Sequence, residues 1–413
     1  MKRVENGDVK LLKLEMTNKN ISAGVNILDQ VQGFDVFEDM TKPTMYALFF
    51  MTDSIGLFTS FPIIGEETIT VEYGTPGLKP TRQQFRCFEV ANIVRSENGK
   101  LMHYMLKCVS EEHLNNGTNV VAHSFNQALS STVSDLLTTF LKTKKKLIVD
   151  DTKGTQNIVF PRMAPLVAID MCRRRAVSIS YASSSYVFFE NQQGFNFKTV
   201  EGLIDDGKKS IGSRVFNFNE SPTSDKESQF LSNRTVLSFE NITSVDTVRN
   251  LNDGMHYAVA DVFDIKQKKF STTTFKLKDA FGKFQKTNDK DKNVNTDAFV
   301  SEFASTSPRR FFIPKDTSRP DQFIEDMLPV RNSYVMLLNQ NVTRILIHGD
   351  SGLKAGDVIR LEAPEATGTT GKKKQDEVLT GNYMITRLRH MVTNSTVPKH
   401  EVVFDCVRVG AAT

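Results

Sequence analysis

Chemistry that histidine and cysteine could support has to be sought in their spacing. The chain has seven histidines, His103, His113, His123, His256, His348, His390 and His400, and four cysteines, Cys87, Cys108, Cys172 and Cys406. Zinc sites place ligands a few residues apart on one turn or helix face, and no HxH, HExxH, HxxxH or CxxC pair occurs. His390 and His400 flank a turn between two strand-like runs and can approach one another, which reads as a satisfied strand-end pair rather than a ligand pair. The cysteines are far apart, each among apolar or strand-forming neighbours, which suits buried free thiols in a reducing cytoplasm. Asp39, Asp53 and Glu66 fall where carboxylates cap turns and sheet edges. Acid–base work would need a further convergent group, and the sequence places none. Ser183-Ser184-Ser185 has no GxSxG context and no Ser-His-Asp order, and Gly371-Lys372-Lys373-Lys374 lacks the glycine and hydroxyl spacing of a P-loop. The sequence thus assigns no catalytic, cofactor-binding or metal-binding residue, and the expectation is a protein that is not an enzyme.

The elements that would position such groups are mostly strands. In the last third, Asn341–His348, Leu353–Glu362, Asn382–Val392 and His400–Val409 are rich in Val, Ile, Tyr and Phe and punctuated by Gly, Asp, Asn and Pro, the pattern of strands and turns. Their faces are mixed: Tyr383 and Ile385 share a face that ends in Arg387 and Arg389, as in an antiparallel wall covered on part of each side. Val9–Met16, Val36–Met40, Met45–Met51, Glu67–Tyr73, Gln84–Val94 and Lys100–Val109 form a second strand-rich block, the last two joined across Glu97-Asn98-Gly99.

Between these blocks, Asn126–Thr143 and Ala164–Arg175 have helical spacing of apolar residues. Lys142, Lys144, Lys145 and Lys146 after the first read as a solvated helix end, and Arg173-Arg174-Arg175 as a charged face with pairing to a neighbour as the lesser reading. Tyr186–Glu190, a turn over Asn191–Gly194 and Phe195–Phe197 predict a Phe-rich hairpin, followed by a short helix over Val200–Ile204. Ser213–Glu227 reads as a polar loop and Lys276–Asn295 as a mobile surface excursion. Strand, helix and strand are then expected over Val236–Val245, Thr247–Asn252 and Ala260–Ile265.

Composition narrows the class. A chain of 413 residues with 39% apolar content can build two to four domains. Its 52 basic and 48 acidic residues leave a net charge of +4, which argues against a dedicated nucleic-acid binder. Thirty Phe and no Trp mean that aromatic packing rests on Phe. Met1–Asn20 shows no apolar signal-peptide core, and the longest apolar run, Met45–Met51, is far shorter than the ~18–20 residues that cross a bilayer. Folding in a cytoplasm without membrane insertion is expected.

Several runs in this order resemble one family. These are Phe37-Glu38-Asp39 with Pro62-Ile63-Ile64-Gly65-Glu66 and Tyr104–Glu112, the hairpin Tyr186–Leu203, then Leu251, Gly254, Tyr257 and Asp264-Ile265. At the C-terminal end come Arg331-Asn332-Ser333-Tyr334 at the head of a short helix, Leu353–Ile359, Gly381–Ile385 and Arg389-His390. The chain is similar to the central baseplate hub proteins of contractile bacteriophage tails, which share their architecture with the hub part of type VI secretion spike proteins. The resemblance implies a mainly β (α+β) fold, with two tail-tube-like antiparallel β-barrels and an intervening α/β region. The corresponding divisions are 1–125 for the N-terminal barrel and 126–230 for the first part of the middle domain. Residues 231–330 would be shared between the middle domain and the second barrel, with 276–295 mobile, and 331–413 would complete that barrel.

It also implies a homotrimer whose six barrels join a sixfold tail tube to a threefold central spike, with baseplate wedge proteins around it. DNA would pass through the lumen without specific binding, and the protein would be assembled in the host cytoplasm and end in the virion tail. Two other readings stay open at this point: the hub of a protein-delivering contractile injection system, and a tail-associated cell-wall hydrolase.

Overall fold

The structure, a computed structural model, describes residues 6–18, 24–61, 63–96, 99–211, 214–218, 234–243, 247–280, 309–315, 324–339, 342–363, 376 and 379–411. Its first seven strands are β1 (Lys10–Thr17), β2 (Val25–Asn26), β3 (Val31–Asp39), β4 (Tyr46–Asp53), β5 (Thr68–Gly74), β6 (Thr81–Arg95) and β7 (Met102–Val109). Side chains alternate across a strand, so Ala47, Phe49 and Met51 of β4 and Leu14 and Met16 of β1 point inward while their neighbours are more exposed. The antiparallel order is β3-β4-β7-β6-β5-β1-β2. A 3-10 turn, Leu28–Gln30, carries β2 into β3, and Ile27 N donates to Leu14 O at 2.9 Å. The sheet thereby curls round a core that includes Phe34, Phe49, Tyr73, Phe85 and Leu106.

The middle of the chain holds two small sheets. Strand β8 (Val121–Gln127) pairs with β10 (Gln156–Met163). Strand β9 (Leu147–Val149) lies parallel to β12 (Gly194–Thr199), which forms a hairpin with β11 (Tyr186–Asn191). Helices Leu129–Asp135, Pro165–Arg175 and Val200–Lys208 surround them. The first helix passes directly into a π-helical turn, Leu136–Phe140. Phe188 and Phe195 stack across the hairpin with ring centres 5.7 Å apart, and Val121 and Ile158 join the same core.

The remaining strands build a second curled sheet and one side sheet. These are β13 (Val215–Asn217), β14 (Val236–Thr243), β15 (Tyr257–Asp264), β16 (Lys269–Lys276), β17 (Arg309–Lys315), β18 (Val342–His348), β19 (Val358–Glu362), β20 (Gly381–Thr393) and β21 (Lys399–Ala411). Strands β16, β15 and β17 form the side sheet. The others run β14-β18-β21-β20-β19-β13, and a bridge between Asn217 and Thr235 returns the last strand to the first. Phe216, Ile345, Ile359, Tyr383, Ile385 and Phe404 fill the interior.

Strand β20 makes the two barrels one sheet. Its first part, Gly381–Met384, pairs with β19 (Val358–Leu361), and its last part, Arg387–Thr393, pairs with β3 (Gly33–Asp39). Its side chains change cores accordingly: Tyr383, Ile385 and Leu388 enter the second barrel, and Val392 enters the first. Across the end of β21, the bridge Asp8 to Lys399 and the bond from His400 N to Gly7 O (2.7 Å) tie in the start of the chain. The fold is therefore mainly β, with large antiparallel tube-like sheets.

Four local expectations are corrected. Arg331-Asn332-Ser333-Tyr334 lies inside a longer helix, Ile324–Leu338, not at its head. There Ser333 Oγ donates to Met255 O at 2.6 Å and Tyr334 is buried. Leu353–Glu362 is strand only from Val358, because Asp357 turns the chain back by accepting from Lys354 N (3.1 Å). Within Ser213–Glu227 the segment Val215–Asn217 is a strand that completes the second barrel, and the sequence over Asn126–Thr143 is not a uniform helix but ends in the π-turn. The excursion expected at Lys276–Asn295 lies outside the described residues beyond Ala280, as do most of Ala363–Gly381 and Glu97-Asn98.

One glycine is fixed by the joint between the barrels. A Cβ on Gly349 would stand 2.2 Å from ring atoms of His400, whose carbonyl accepts from Gly349 N at 2.8 Å. We expect Gly349→Ala to cost about 1–3 kcal/mol from overpacking, read as a lower urea midpoint with an unchanged slope.

Candidate functional site

Among the described residues, a dense set of buried polar contacts lies at the turn of the Phe-rich hairpin, which plugs into the angle between the barrels. Gly194 makes that turn possible: its φ is +129°, and a Cβ there would lie 2.2 Å from Lys146 O. The turn reaches both barrels. Gln192 N donates to Glu38 Oε1 of β3 at 2.8 Å, and Gln83 Nε2 of β6 donates to Gln192 O at 3.1 Å. Toward the second barrel, Gln192 Nε2 donates to Leu353 O and Asn191 Nδ2 to Ala355 O, each at 3.0 Å. Ala355 N completes the knot by donating to Glu38 Oε2 at 2.7 Å. Glu38 is wholly buried, and desolvation pushes its carboxyl up to about 8 against the pull of the two N–H donors, with Asp357 adding repulsion.

A second buried carboxylate fixes the other side of the hairpin. Glu190 accepts from Met45 N (3.0 Å) and from the Ser110 hydroxyl, both at the edge of the first barrel. Lys145 Nζ lies 2.6 Å from Glu190 Oε1 and 2.6 Å from Glu112 Oε2. Burial works against the charge of Lys145, yet the two carboxylates hold its pKa above the ordinary lysine value. This corrects the expectation of a solvated lysine cluster after the first middle helix: Lys145 is drawn inward by two acids the sequence did not connect to it. The signal available was Glu190 itself, an acid ending the apolar run Tyr186–Phe189.

The seam between β3 and β20 is laced on its outer side. Arg389 donates to Asp35 Oδ2 at 2.7 Å and lies over the Phe37 ring, 5.4 Å from its centre. Arg387 lies 3.4 Å from Asp39. The arginines that ended the mixed face of this strand thus cross to the neighbouring barrel. On the buried side, His390 Nδ1 and His400 Nε2 are 3.0 Å apart, with Tyr73 edge-on to both rings. Desolvation moves His390 down to about 4, and desolvation with the nearby His390 holds His400 well below the usual histidine range. Both rings are therefore neutral, one donating and the other accepting.

Several other residues considered for chemistry have structural partners, while Gly371-Lys372-Lys373-Lys374 lies outside the described residues. Asp39 accepts from Thr41 N and its hydroxyl, and Asp53 accepts from Ile55 N, Leu57 N and Phe58 N. Glu67, beside Glu66, caps the turn by accepting from Ile64 N and Gly65 N. Ser185 donates to Glu201 and accepts from Val200 N at the start of a helix, so the serine run serves that cap. The four cysteines are free and buried, and Cys87 faces Cys108 directly across β6 and β7, a pairing that sequence separation concealed. Among the described residues no group of three His, Cys, Asp or Glu could hold a metal ion, and no helix is long and apolar enough to cross a membrane.

Two outcomes follow from these buried charges. Lys145→Met leaves Glu112 and Glu190 without their cation and should cost about 3–5 kcal/mol, whereas adding Glu112→Gln and Glu190→Gln should recover part of that loss in urea unfolding. The acid limb of stability should come from the histidines. Their pKa values are depressed on folding, so their contribution is complete above about 6.5 and is lost as pH falls toward 4, by roughly 3 kcal/mol for His390. Glu38 acts oppositely, because its raised pKa favours the folded state as pH falls from about 8 toward 4.5. Thermal midpoints should peak near pH 6–7 (about the histidine range), and His390→Phe with His400→Leu should flatten the acid side; an unchanged acid side would remove the pair as its cause.

Compared with known protein families, the sequence matches no family model, and no curated protein matches it. Solved structures do match the fold. The tail protein from Neisseria meningitidis is similar over 96% of this chain and 96% of its own, with a TM-score of 0.56 and 7% identity. The 43 kDa tail protein of prophage MuSo2 from Shewanella oneidensis is similar over 96% of this chain and 98% of its own, with a TM-score of 0.55 and 9% identity. A type VI secretion component from Escherichia coli, described as similar to bacteriophage T4 tail proteins, covers 97% of this chain and 76% of its own at 10% identity, with a TM-score of 0.46. The first two comparisons establish that this chain has the fold of phage tail proteins along nearly its whole length.

Proposed function

We propose that the chain is a structural hub of a contractile tail, acting as a homotrimer between the tail tube and the central spike. The observation that carries this reading is the fusion of two tube-like barrels through β20 in a single chain. Three such chains arranged about a threefold axis present six barrels. The same ring then offers sixfold-like repeats to a tube and threefold repeats to a spike, without any covalent chemistry. Its lumen would pass DNA without specific contacts, in keeping with a net charge of only +4. Wedge proteins would surround the ring, and the site of action would be the virion tail baseplate. The divisions at residues 125, 230 and 330 belong to the same proposal.

Surface chemistry supports an assembled rather than solitary state. The far end of β6 leaves Ile93 and Val94 50% and 59% exposed, with Phe88 and Leu101 also outward on the first barrel. On the second barrel, β14 leaves Leu237 and Ile242 outward. Apolar side chains grouped on an outer barrel wall are suited to burial against another subunit.

Purified protein should give particles with threefold symmetry by electron microscopy and a native mass three times the 46.5 kDa of the chain. A monomer at micromolar concentration would overturn the reading. Ile93→Asp with Val94→Asp should shift the population toward monomer while leaving the far-ultraviolet circular dichroism of the folded chain unchanged.

A further inference from the structure

Away from the barrel junction, two helices bring three guanidinium groups to one cleft. Pro165–Arg175 supplies Arg173 and Arg174, and Ile324–Leu338 supplies Arg331. The cleft has a volume of about 730 Å³, and Leu166, Val187 and Val335 give it an apolar lining. Asp170 is the one acid in that lining, and both of its oxygens are engaged. Arg173 Nη2 lies 2.6 Å from one of its oxygens and Arg174 Nη2 2.7 Å from the other. Arg331 is different. Its Nη1 donates to Arg174 O at 3.0 Å, and no carboxylate among the described residues forms an ion pair with it. Burial and the repulsion of Arg173 and Arg174 depress its pKa below the usual arginine value, and Asp170 only partly offsets them. The site therefore holds an excess of positive charge, partly desolvated, beside an apolar wall.

We propose that this cleft binds an acidic peptide segment of a partner protein, one carboxylate pairing with Arg331 and an adjacent apolar side chain packing against Leu166, Val187 and Val335. Charge complementarity selects the occupant. A planar guanidinium is matched by a carboxylate, and pairing in a partly dry site is stronger than at an open surface. The apolar lining favours a peptide over a free anion, which would leave that wall uncovered. A nucleic acid would require a stripe of basic groups along a surface, and here the excess is confined to one concavity. The proposal does not depend on the trimeric reading.

The test uses the full chain and a fluorescein-labelled peptide of alternating Asp and Leu, followed by fluorescence anisotropy. Arg331→Gln should weaken binding roughly tenfold or more, about one charge-assisted pair, while Arg331→Lys keeps part of the affinity. Arg175→Gln, altering the arginine that follows the cleft pair in sequence, should leave binding unchanged. Affinity should fall between about 50 and 200 mM salt, as the Debye length shortens. The proposal is overturned if Arg331→Gln, with an unchanged thermal midpoint, binds the peptide as well as the unaltered chain. It is equally overturned if an Asn-Leu peptide binds as tightly, or if inorganic phosphate displaces the acidic peptide at equal concentration.

Discussion

A strand has two edges, and every backbone N–H and C=O on both must find a partner once it is buried. In β20 that requirement couples the whole architecture. Strand β21 pairs along its full length on one edge, while the other edge is divided between β19 and β3. At the change-over the register shifts between Ile385 and Arg387, and the Thr386 carbonyl accepts from Met40 N at 2.9 Å. The bulge lets one strand turn from the curvature of one barrel into that of the other, and the Ile385 and Thr386 carbonyls there accept from Gly356 N and Met40 N. Because the ladder is continuous, the angle between the barrels is set by hydrogen-bond geometry and not by a linker.

Continuity along one ladder does not by itself stop two barrels from twisting about it. The hairpin turn at Asn191–Gly194 supplies that restraint by bonding to both sides, with Glu38 as the shared acceptor. Burying a carboxyl costs free energy that its two N–H donors only partly return, which is why its proton is held to about pH 8. Glu190 solves a similar problem differently, keeping a lysine beside it so that the charges compensate. The two acids stand on either side of one turn, and together they hold the middle region against the barrels from two directions.

Much of the strand framework was legible because period-2 alternation and turn residues are local signals. Tyr46–Asp53 and Lys399–Ala411 could be read within a few residues of their ends for that reason. Elements stabilised by distant partners were not. Val215–Asn217 is strand because β19 lies beside it, and its polar neighbours gave no local hint. Helix Ile324–Leu338 continues through Pro329, which leaves the helix interior without one N–H, so it extends well before the Arg331–Tyr334 stretch expected at its head. The polar knots were hidden for the same reason. Lys145 looked like one of several solvated lysines, and nothing within its own segment shows that Glu112 and Glu190 converge on it.

The form of those knots also bears on how the fold persists when sequence does not. The two tail proteins that share this architecture do so at 7% and 9% identity. In the junction described here, Glu38, Asn191 and Gln192 direct their side chains mainly at backbone atoms of Gln192, Ala355 and Leu353. A backbone N–H or carbonyl is present whatever residue occupies the position, provided it is not proline at a donor. Such a contact constrains one partner's side chain and leaves the other free to vary. The ladders of β20 constrain neither, asking only that the strand keep its pleat and its alternation. A joint assembled from ladders and side-chain-to-backbone bonds can thus hold two barrels at a fixed angle while specifying few residue identities, which is the condition under which one architecture accommodates sequences this different.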